Sequence, residues 1–391
     1  MFVSMKIIAV ILFMFISQSI WADKEIMDIG VFRNVKTSHI LFNYLDDSYS
    51  FHSESGVFFT LKKGQSVRIQ NKGGEIRIKQ GDVEIGTFKK VFVKRSHDGG
   101  AFKIKCLSPS SRERKYQGNL KILAEGKYLK IINQVPLDEY LVGVIESESG
   151  NNESKEYYKV QAVISRTYAL KHKSKFMDEG FMLTDLTNCQ VYKGKMYNNQ
   201  KIIDAVKETE NLVLVDSDMN YITASYYSNS GGQTVNSEDV WSKPLSYLRS
   251  VKDPYSYGKS NSNWTKVISK AKWISYLDKQ HNFPIDNKHD IEKALSFKQE
   301  SRRKYFVDWK YHILLTDIRK DWKLKSTYFD VKIKGKEVYL SGKGFGHGVG
   351  LSQEGAMNMC DLGYGFLDVL LFYYTQAHLI DLEMMDFYLS Y

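Results

Sequence analysis

The change from strand-like to helical sequence lies at residues 136–149, which read PLDEYLVGVIESES. Leu137, Leu141 and Glu148 recur at helical spacing, which predicts an amphipathic helix. Pro136 suits a first helical turn, and the two acidic residues that follow shortly after it favour the positive end of the helix dipole. The turn-forming residues from position 149 onward are expected to end the helix.

Glu148 is the catalytic candidate of this helix. Its side chain is expected to project within ~20° of Leu137 and Leu141, whereas Glu146 points to roughly the opposite side. We therefore expect Glu148 to be partly desolvated and Glu146 to be hydrated. Desolvation raises the pKa of a carboxyl group, as a general acid working near neutral pH requires. A solvated glutamate at a frayed helix end is the structural alternative.

On the N-terminal side of this helix, residues 29–132 predict a β-rich region. Short apolar runs such as 67–69 and 76–78 alternate with turn signals such as 72–74 and 98–100. The region carries no catalytic constellation. We interpret it as a packing or wall-binding module.

The first 22 residues predict a secretory signal peptide. Lys6 precedes the apolar run 7–16, and the small residue Ala22 precedes Asp23. The run is shorter than the ~20 apolar residues that a membrane-spanning helix needs. An uncleaved membrane anchor is the alternative, and we expect contact with a membrane only in that case. The predicted location is secreted, in the periplasm or the cell-wall compartment.

A second helix is predicted from about residue 154 to residue 173. Gln161, Ser165 and Arg166 fall on its less apolar side, within reach of a cleft. The planar guanidinium of Arg166 suits a carboxylate or a lactyl group of a substrate. A surface arginine on an amphipathic helix is the commoner case.

Residues 224–241 suit a sugar-binding site because they combine hydroxyl groups, adjacent glycines and a tryptophan. Glycines let a backbone approach a ligand closely, and an aromatic ring offers an apolar surface to the face of a pyranose. The candidate binding residues are Tyr227, Ser228, Ser230, Gly231, Gly232 and Trp241. A tight turn between strands is the structural alternative.

Residues 344–356, GFGHGVGLSQEGA, place four glycines at alternate positions around His347. Their spacing fits neither the dinucleotide fingerprint nor the phosphate-binding loop. A strand of alternating glycines would present a nearly bare backbone to another backbone or to a glycan. We expect His347, Ser352 and Gln353 to face the substrate, with a helix beginning at the last two. A hydrogen-bonded structural histidine is the alternative for His347.

Composition limits the chemistry. The 391 residues include 55 Lys and Arg against 45 Asp and Glu, a formal net charge of +10. Outside the cytoplasm such a surface suits anionic wall polymers better than nucleic acid, and an ordinary lysine-rich surface explains it equally well. The three widely spaced cysteines, Cys106, Cys189 and Cys360, permit one disulfide at most.

Other hydrolytic chemistries lack their motifs in this sequence. It contains no zinc-protease helix, no paired-cysteine motif, no cluster of three histidines and no Gly-x-Ser-x-Gly elbow. A lone cysteine nucleophile, Cys189 or Cys360, is a weaker alternative because neither lies near a histidine in sequence. We expect neither a metal nor an organic cofactor.

Taken together, these segments resemble the SpoIID/LytB family, in the same order and at comparable separations. The matching segments are VPLDEYLVGVI at 135–145, QAVISRTYA at 161–169, QVY at 190–192, SGGQT at 230–234, EDVW at 238–241, LSYLRSV at 245–251 and GHGVGLSQEGA at 346–356. The last segment matches the family's signature completely. The likeness covers roughly residues 116–379.

The resemblance implies an activity. Sporulation members of the family resemble lytic transglycosylases that act on glycan strands, typically strands already stripped of stem peptides. Autolysin-modifier members are described as enhancers of amidases. The family's catalytic glutamate maps onto Glu148, in agreement with the helix argument. It precedes Met-Pro in the family, whereas Ser149 and Gly150 follow it here, so the loop that shapes the acid is expected to differ.

The resemblance thus implies cleavage of MurNAc-GlcNAc linkages in peptidoglycan with formation of 1,6-anhydroMurNAc. A non-catalytic glycan-binding enhancer of a cell-wall amidase is the main alternative, and a secreted scaffold with a decayed site is a third. We predict an α+β protein with a signal peptide at 1–22, a β-rich region at 23–115 and a mixed α/β SpoIID-like domain at 116–391.

Overall fold

The computed structural model describes residues 25–46, 48–62, 64–195 and 198–389. The predicted signal peptide lies outside these residues. Within them the chain forms a β-rich N-terminal part followed by a part that mixes helices and strands, which confirms the α+β class. Among the described residues, no helix combines the length and the apolar character that crossing a membrane requires.

The N-terminal part is built from antiparallel strands whose alternating apolar residues are buried, as Ile76 and Ile78 are in β6. The strands are β1 Ile26–Val31, β2 His39–Asp46, β3 Tyr49–Ser53, β4 Gly56–Leu61, β5 Ser66–Lys72, β6 Glu75–Gln80, β7 Val83–Phe88, β8 Lys90–Arg95, β9 Ala101–Ser108, β10 Arg114–Gln117, β11 Asn119–Glu125 and β12 Tyr128–Pro136.

The C-terminal part begins directly after β12. Its elements are α1 Leu137–Ser149, α2 Lys155–His172, β13 Leu183–Thr184, α3 Gln200–Glu208, β14 Leu212–Val215, β15 Tyr226–Tyr227, α4 Ser237–Val240, β16 Asn263–Ser269, α5 Lys270–His281, α6 Lys288–Leu295, α7 Leu315–Asp321, β17 Phe329–Lys334, β18 Glu337–Lys343, β19 Leu351–Ser352, α8 Gln353–Asp361, α9 Phe366–Tyr373, β20 His378–Asp381 and α10 Leu382–Leu389. The first two helices lie where the sequence predicts them.

Two sheets connect the N-terminal strands to the helices. One has the order β13-β1-β12-β11-β8-β3-β4, and the other has the order β10-β9-β2-β5-β6-β7. The predicted boundary at 115/116 falls inside β10. The buried side chains of the sheets and of α1 and α2 belong to one hydrophobic core, so the first sheet supports the helix that carries Glu148.

A second hydrophobic core lies between residues 268 and 340. Here α5, α6 and α7 accompany the antiparallel sheet β16-β18-β17 around the fully buried Trp273. From the sequence alone, the highly charged segment 255–325 is predicted to be mostly helical, and this prediction is wrong in part. The strand β16 and the irregular stretch 296–314 interrupt the helices, and the high density of charged residues hides both in the sequence.

The predicted strand of alternating glycines does not form. Gly344, Gly346, Gly348 and Gly350 have φ angles of 75°, 121°, 92° and 78°, in a region of backbone conformation that residues with a side chain rarely adopt. At Gly346 an added Cβ would lie 2.6 Å from the Cβ of Tyr227. The segment, which we call the glycine turn, is therefore an irregular stretch packed closely against β15.

Candidate active site

A cavity of about 690 Å³ lies where the C-terminal end of α1 meets β15, α7 and the glycine turn. Six of the residues that the sequence predicts for the site line it: Glu148, Tyr227, Ser228, Trp241, His347 and Gln353. A larger groove of about 780 Å³, beside α6 and β17, contains none of them. We therefore place the candidate site in the smaller cavity.

Glu148 lies in the last turn of α1 and is partly buried. Its Oε1 atom accepts a hydrogen bond of 2.7 Å from the backbone amide of Val191. Burial raises the pKa of Glu148 above its ordinary value, and the Val191 amide, the Tyr226 hydroxyl and Lys193 offset this only in part. The carboxyl group therefore keeps its proton to higher pH than a solvated glutamate does.

Glu146, two residues earlier, is not hydrated as predicted. Only 9% of its surface is exposed, because α1 is covered on several sides rather than on one. Lys195 lies close enough for its pKa to be affected by the charge of Glu146. The simple amphipathic pattern therefore describes the Glu148 face of the helix and fails on the other.

The segment 190–192 holds in place the Val191 amide, which is the hydrogen-bond partner of Glu148. The ring of Tyr192 packs so closely on α1 that a Cβ at Gly143 would lie 2.5 Å from it. The Tyr192 hydroxyl donates to Oδ1 of Asn133 at 2.8 Å. A glycine in the helix thus lets this segment approach and present the Val191 amide to Glu148.

His347 is held by both ring nitrogens. Its Nδ1 accepts from the Val349 amide at 3.1 Å, so its proton lies on Nε2, which donates to the carbonyl of Tyr226 at 3.1 Å. Burial lowers the pKa of His347 to about 4. The ring is therefore neutral at physiological pH and forms a fixed part of the cavity wall.

Aromatic rings form one wall of the cavity. The ring centroids of Tyr227 and His347 are 5.1 Å apart, and those of Trp241 and His347 are 5.4 Å apart. Trp241 is 37% exposed, and Phe345, from the glycine turn, is 39% exposed. Large exposed aromatic surfaces in a cavity suit the apolar faces of sugar rings.

Comparisons with known proteins identify the family of the chain. The model of the SpoIID stage II sporulation protein family matches residues 125–215. Over 267 residues the chain is 30% identical to Stage II sporulation protein D of Bacillus subtilis, an alignment that covers 64% of this chain and 76% of the relative. The chain belongs to the SpoIID/LytB family.

Two further relatives are consistent with this membership. Stage II sporulation protein D of Bacillus amyloliquefaciens is 28% identical over 274 residues, which cover 66% of this chain and 77% of that protein. A Bacillus subtilis protein named amidase enhancer is 30% identical over 290 residues, 60% of this chain and 39% of that protein. The role of this SpoIID/LytB member is therefore related to the cell wall.

Several residues of the family segments lie behind the cavity rather than in its lining. Ser230 is fully buried and donates through its hydroxyl to Oδ2 of Asp253 at 2.7 Å. The Ser352 hydroxyl accepts from the amides of Ser230 and Gly355 at 3.1 and 3.3 Å. Together with Gly231 and Gly232, which are also buried, these residues hold the loop that carries Ser228.

Arg166 and Gln161 also lie outside the lining. Only 1% of the surface of Arg166 is exposed. Its guanidinium donates to the carbonyls of Thr209 and Leu212 at 2.7 and 3.3 Å and pairs with Asp138 at 3.2 Å. The predicted contact with a substrate group is replaced by these internal bonds, because α3 and β14 cover this side of α2. Gln161 is fully buried and bonds Ser165.

Sequence reasoning missed several residues that line the cavity, among them Phe345 and Arg319. Phe345 stands at an alternate position inside the glycine turn, and an aromatic residue between glycines could have been recognised as an exposed ring. Arg319 belongs to α7, within a highly charged segment, and no local pattern distinguishes it from its neighbours.

Cys189 also lines the cavity, which bears on the cysteine alternative. All three cysteines are free. The only histidine of the lining, His347, has both ring nitrogens engaged, so within the described part of the cavity it offers Cys189 no free imidazole base. The described residues contain no group of three or more His, Cys, Asp or Glu side chains placed to hold a metal ion.

Proposed function

We propose that the chain is a peptidoglycan lytic transglycosylase that cleaves MurNAc-GlcNAc linkages and forms 1,6-anhydroMurNAc ends. One observation carries this proposal. Among the described residues that line the cavity, Glu148 is the only carboxyl group, and its pKa is raised by burial. The site thus offers one proton donor beside an aromatic wall.

A single acid favours one class of glycan cleavage over the others. Inverting and retaining hydrolases use two carboxyl groups, about 5–9.5 Å apart, of which one activates water or attacks the sugar. A transglycosylase needs only one, because the nucleophile is a hydroxyl group of the substrate itself. The single carboxyl group of the cavity therefore supports a transglycosylase rather than a hydrolase.

In the proposed reaction, protonated Glu148 gives its proton to the glycosidic oxygen, and the bond between that oxygen and C1 of MurNAc breaks. Positive charge builds on the sugar in an oxocarbenium-like state. The C6 hydroxyl oxygen of the same MurNAc bonds to C1, and its proton returns to the Glu148 carboxylate. One glycosidic bond is exchanged for another, no water is consumed, and the acid is regenerated.

The other lining residues have binding roles in this proposal. Trp241 and Phe345 stack on sugar rings, and Tyr227 and His347 support that wall. Ser228 and Gln353 supply polar groups that orient the strand. Gln161, Arg166, Ser230, Gly231, Gly232 and Ser352 position the surrounding elements rather than contact the glycan.

A second candidate function rests on one of the relatives. The similarity to a protein named amidase enhancer favours a glycan-binding protein that acts through a cell-wall amidase. Such a protein would need the aromatic wall and would not need a protonated Glu148. In either case we propose that the chain acts on peptidoglycan outside the cytoplasm after export directed by residues 1–22.

The test is product analysis with intact and peptide-stripped peptidoglycan. The purified chain, a Glu148→Gln variant and a Glu75→Gln control, which neutralises an exposed carboxylate of the N-terminal sheets, are incubated with both substrates. Anhydro-muramic ends, identified by mass spectrometry, are expected from the wild type and the control only. If none of the three proteins releases product while all retain glycan in a pull-down, the transglycosylase proposal fails and the amidase-enhancer function stands.

A further inference from the structure

Arg319 is the only Lys or Arg side chain among the described residues that line the cavity. Its Nε atom donates to the carbonyl of Lys325 at 3.3 Å, and the same carbonyl accepts from the amide of Gly346 at 2.9 Å. The side chain is therefore tied to the glycine turn. Its charge also contributes to the low pKa of His347, which places the guanidinium on the aromatic side of the cavity.

The terminal amino groups of Arg319 make no hydrogen bond or ion pair with the residues that the structure describes. Other arginines near the site differ in this respect. Arg166 is saturated by internal carbonyls and Asp138. Arg302 donates to the carbonyls of Gln233 and Ser230, both at 2.6 Å. Among the arginines that the structure describes, only Arg319 lines the cavity and has two terminal amino groups that donate no hydrogen bond.

This arrangement suits an anionic ligand group. Arg319 is partly buried, and burial lowers its pKa without a carboxylate to offset it, yet a guanidinium remains charged in proteins. A partly desolvated cation without a partner is stabilised when an anion enters the site. The paired donors of a guanidinium match the two oxygens of a carboxylate in particular.

We propose that Arg319 binds the lactyl carboxylate of a MurNAc residue and thereby selects glycan strands whose stem peptides have been removed. This inference rests on the proposed action on peptidoglycan. A stem peptide is joined to the lactyl group through an amide bond, which carries no charge. Its removal exposes a carboxylate, and that carboxylate is the group that the unused donors of Arg319 fit.

Binding of a carboxylate by Arg319 does not interfere with the Glu148 carboxyl group. The groups that act on the pKa of Glu148 are Val191, Tyr226 and Lys193, whereas Arg319 acts on His347. A bound carboxylate therefore neutralises Arg319 without taking over the hydrogen bond that orients Glu148. The ring of Phe345, in the glycine turn, contacts the sugar that bears the lactyl group.

The test measures binding, with the Glu148→Gln variant as the parent so that no substrate is consumed. Three forms of one GlcNAc-MurNAc tetrasaccharide are titrated by calorimetry: the free lactyl acid, its N-methylamide and the form that carries stem peptides. The free acid is expected to bind about 10-fold to 100-fold more tightly than the methylamide. Raising the salt concentration is expected to reduce only the affinity for charged ligands.

Variants of Arg319 then show whether this residue causes the difference in affinity between the free acid and the methylamide. Arg319→Gln is expected to remove the preference for the free acid and leave the affinity for the methylamide unchanged, and Arg319→Lys is expected to retain part of the preference. Lys320→Gln, which removes the same charge from the exposed neighbouring residue, should leave the preference intact. Thermal unfolding of each variant shows whether its fold is preserved.

Three results would overturn the inference. The first is equal affinity for the acid and the methylamide. The second is an equal loss for both ligands in Arg319→Gln. The third is tight, Arg319-dependent binding of the form that carries stem peptides, which would mean that Arg319 binds a carboxylate of the peptide and not the lactyl carboxylate. If no tetrasaccharide binds at all, the proposed action on peptidoglycan fails as well.

Discussion

The backbone amide of Val191 donates a hydrogen bond of 2.7 Å to Oε1 of Glu148. The bond fixes the orientation of the acid, because Val191 is itself anchored by the packing of Tyr192 on Gly143. A glutamine at position 148 retains a carbonyl oxygen that can accept the same bond. The proton of the Glu148 carboxyl group can therefore be removed by substitution with little change to its surroundings.

Glu148→Gln is expected to lower the rate of anhydro-product formation by about 10²-fold to 10⁴-fold, the usual contribution of a general acid. Affinity for peptide-free glycan is expected to change little, since the side chain keeps its size and its bond to Val191. Product release is followed by mass spectrometry and binding by calorimetry. Activity within twofold of the wild type would contradict the assignment of Glu148 as the acid.

The same variant is expected to change how stability depends on pH. The pKa of Glu148 is raised in the fold, so the folded state holds this proton more tightly than the unfolded chain does. The contribution of Glu148 to stability therefore declines as pH rises from about 4.5, the ordinary value, through the folded pKa. Glutamine does not titrate and avoids this loss.

Melting temperatures at pH 4 and pH 8 measure the effect. Glu148→Gln is expected to melt close to the wild type at pH 4 and about 1–3 °C above it at pH 8. Glu75→Gln should show no such trend. A difference between Glu148→Gln and the wild type that is the same at both pH values would exclude a raised pKa.

Trp241→Ala is expected to weaken glycan binding about 5-fold to 30-fold, because it removes an aromatic surface from the cavity wall. Trp309 is a matched control: it is 68% exposed and does not line the cavity. Calorimetry with peptide-free tetrasaccharide compares Trp241→Ala with Trp309→Ala. Equal losses in the two variants would mean that the aromatic wall is not the binding surface.

Arg166→Ala is expected to destabilise the fold by about 3 kcal/mol or more, because it leaves buried carbonyls of α3 and β14 without their donor. Arg112→Ala, at an exposed arginine, is expected to change stability by less than about 0.5 kcal/mol. Chemical denaturation measures both variants. If the Arg166→Ala protein is fully stable and has lost only its affinity for glycan, the result would support the direct substrate contact predicted from the sequence.

His347 is expected to titrate near pH 4, with Nε2 protonated above that value. Its ring is therefore uncharged throughout the neutral range and does not set the pH dependence of activity there. Nitrogen-15 NMR of the imidazole groups measures the tautomer and the pKa, and the signal missing from a His347→Gln variant identifies the residue. A titration near 6.5 would mean that the ring is exposed to solvent rather than buried in the cavity wall.

The sequence sufficed for features that depend on local patterns. The helical spacing of Leu137, Leu141 and Glu148 located α1 and the desolvated face of the acid. Alternating apolar residues located the N-terminal strands. The glycine cluster drew attention to His347, although it forms an irregular turn rather than a strand, because four residues with positive φ cannot continue a strand.

Features that depend on distant packing could not be predicted. Arg166 and Glu146 look solvent-facing along their own helices, and both are buried because later elements cover them. Arg319 reaches the cavity from a segment more than 150 residues beyond Glu148 in the sequence, and only the tertiary structure brings the two to one site. Charge and helical spacing alone do not reveal such a contact.

The two hydrophobic cores divide the cavity between them. Glu148 extends from a helix of the first core, while Arg319 extends from α7, whose Leu315 and Ile318 belong to the second. It follows that, under the two proposals above, proton donation depends on the first core and strand selection depends on the second. On that basis, substitutions within the second core are expected to change which strands are accepted and to leave proton donation by Glu148 unchanged.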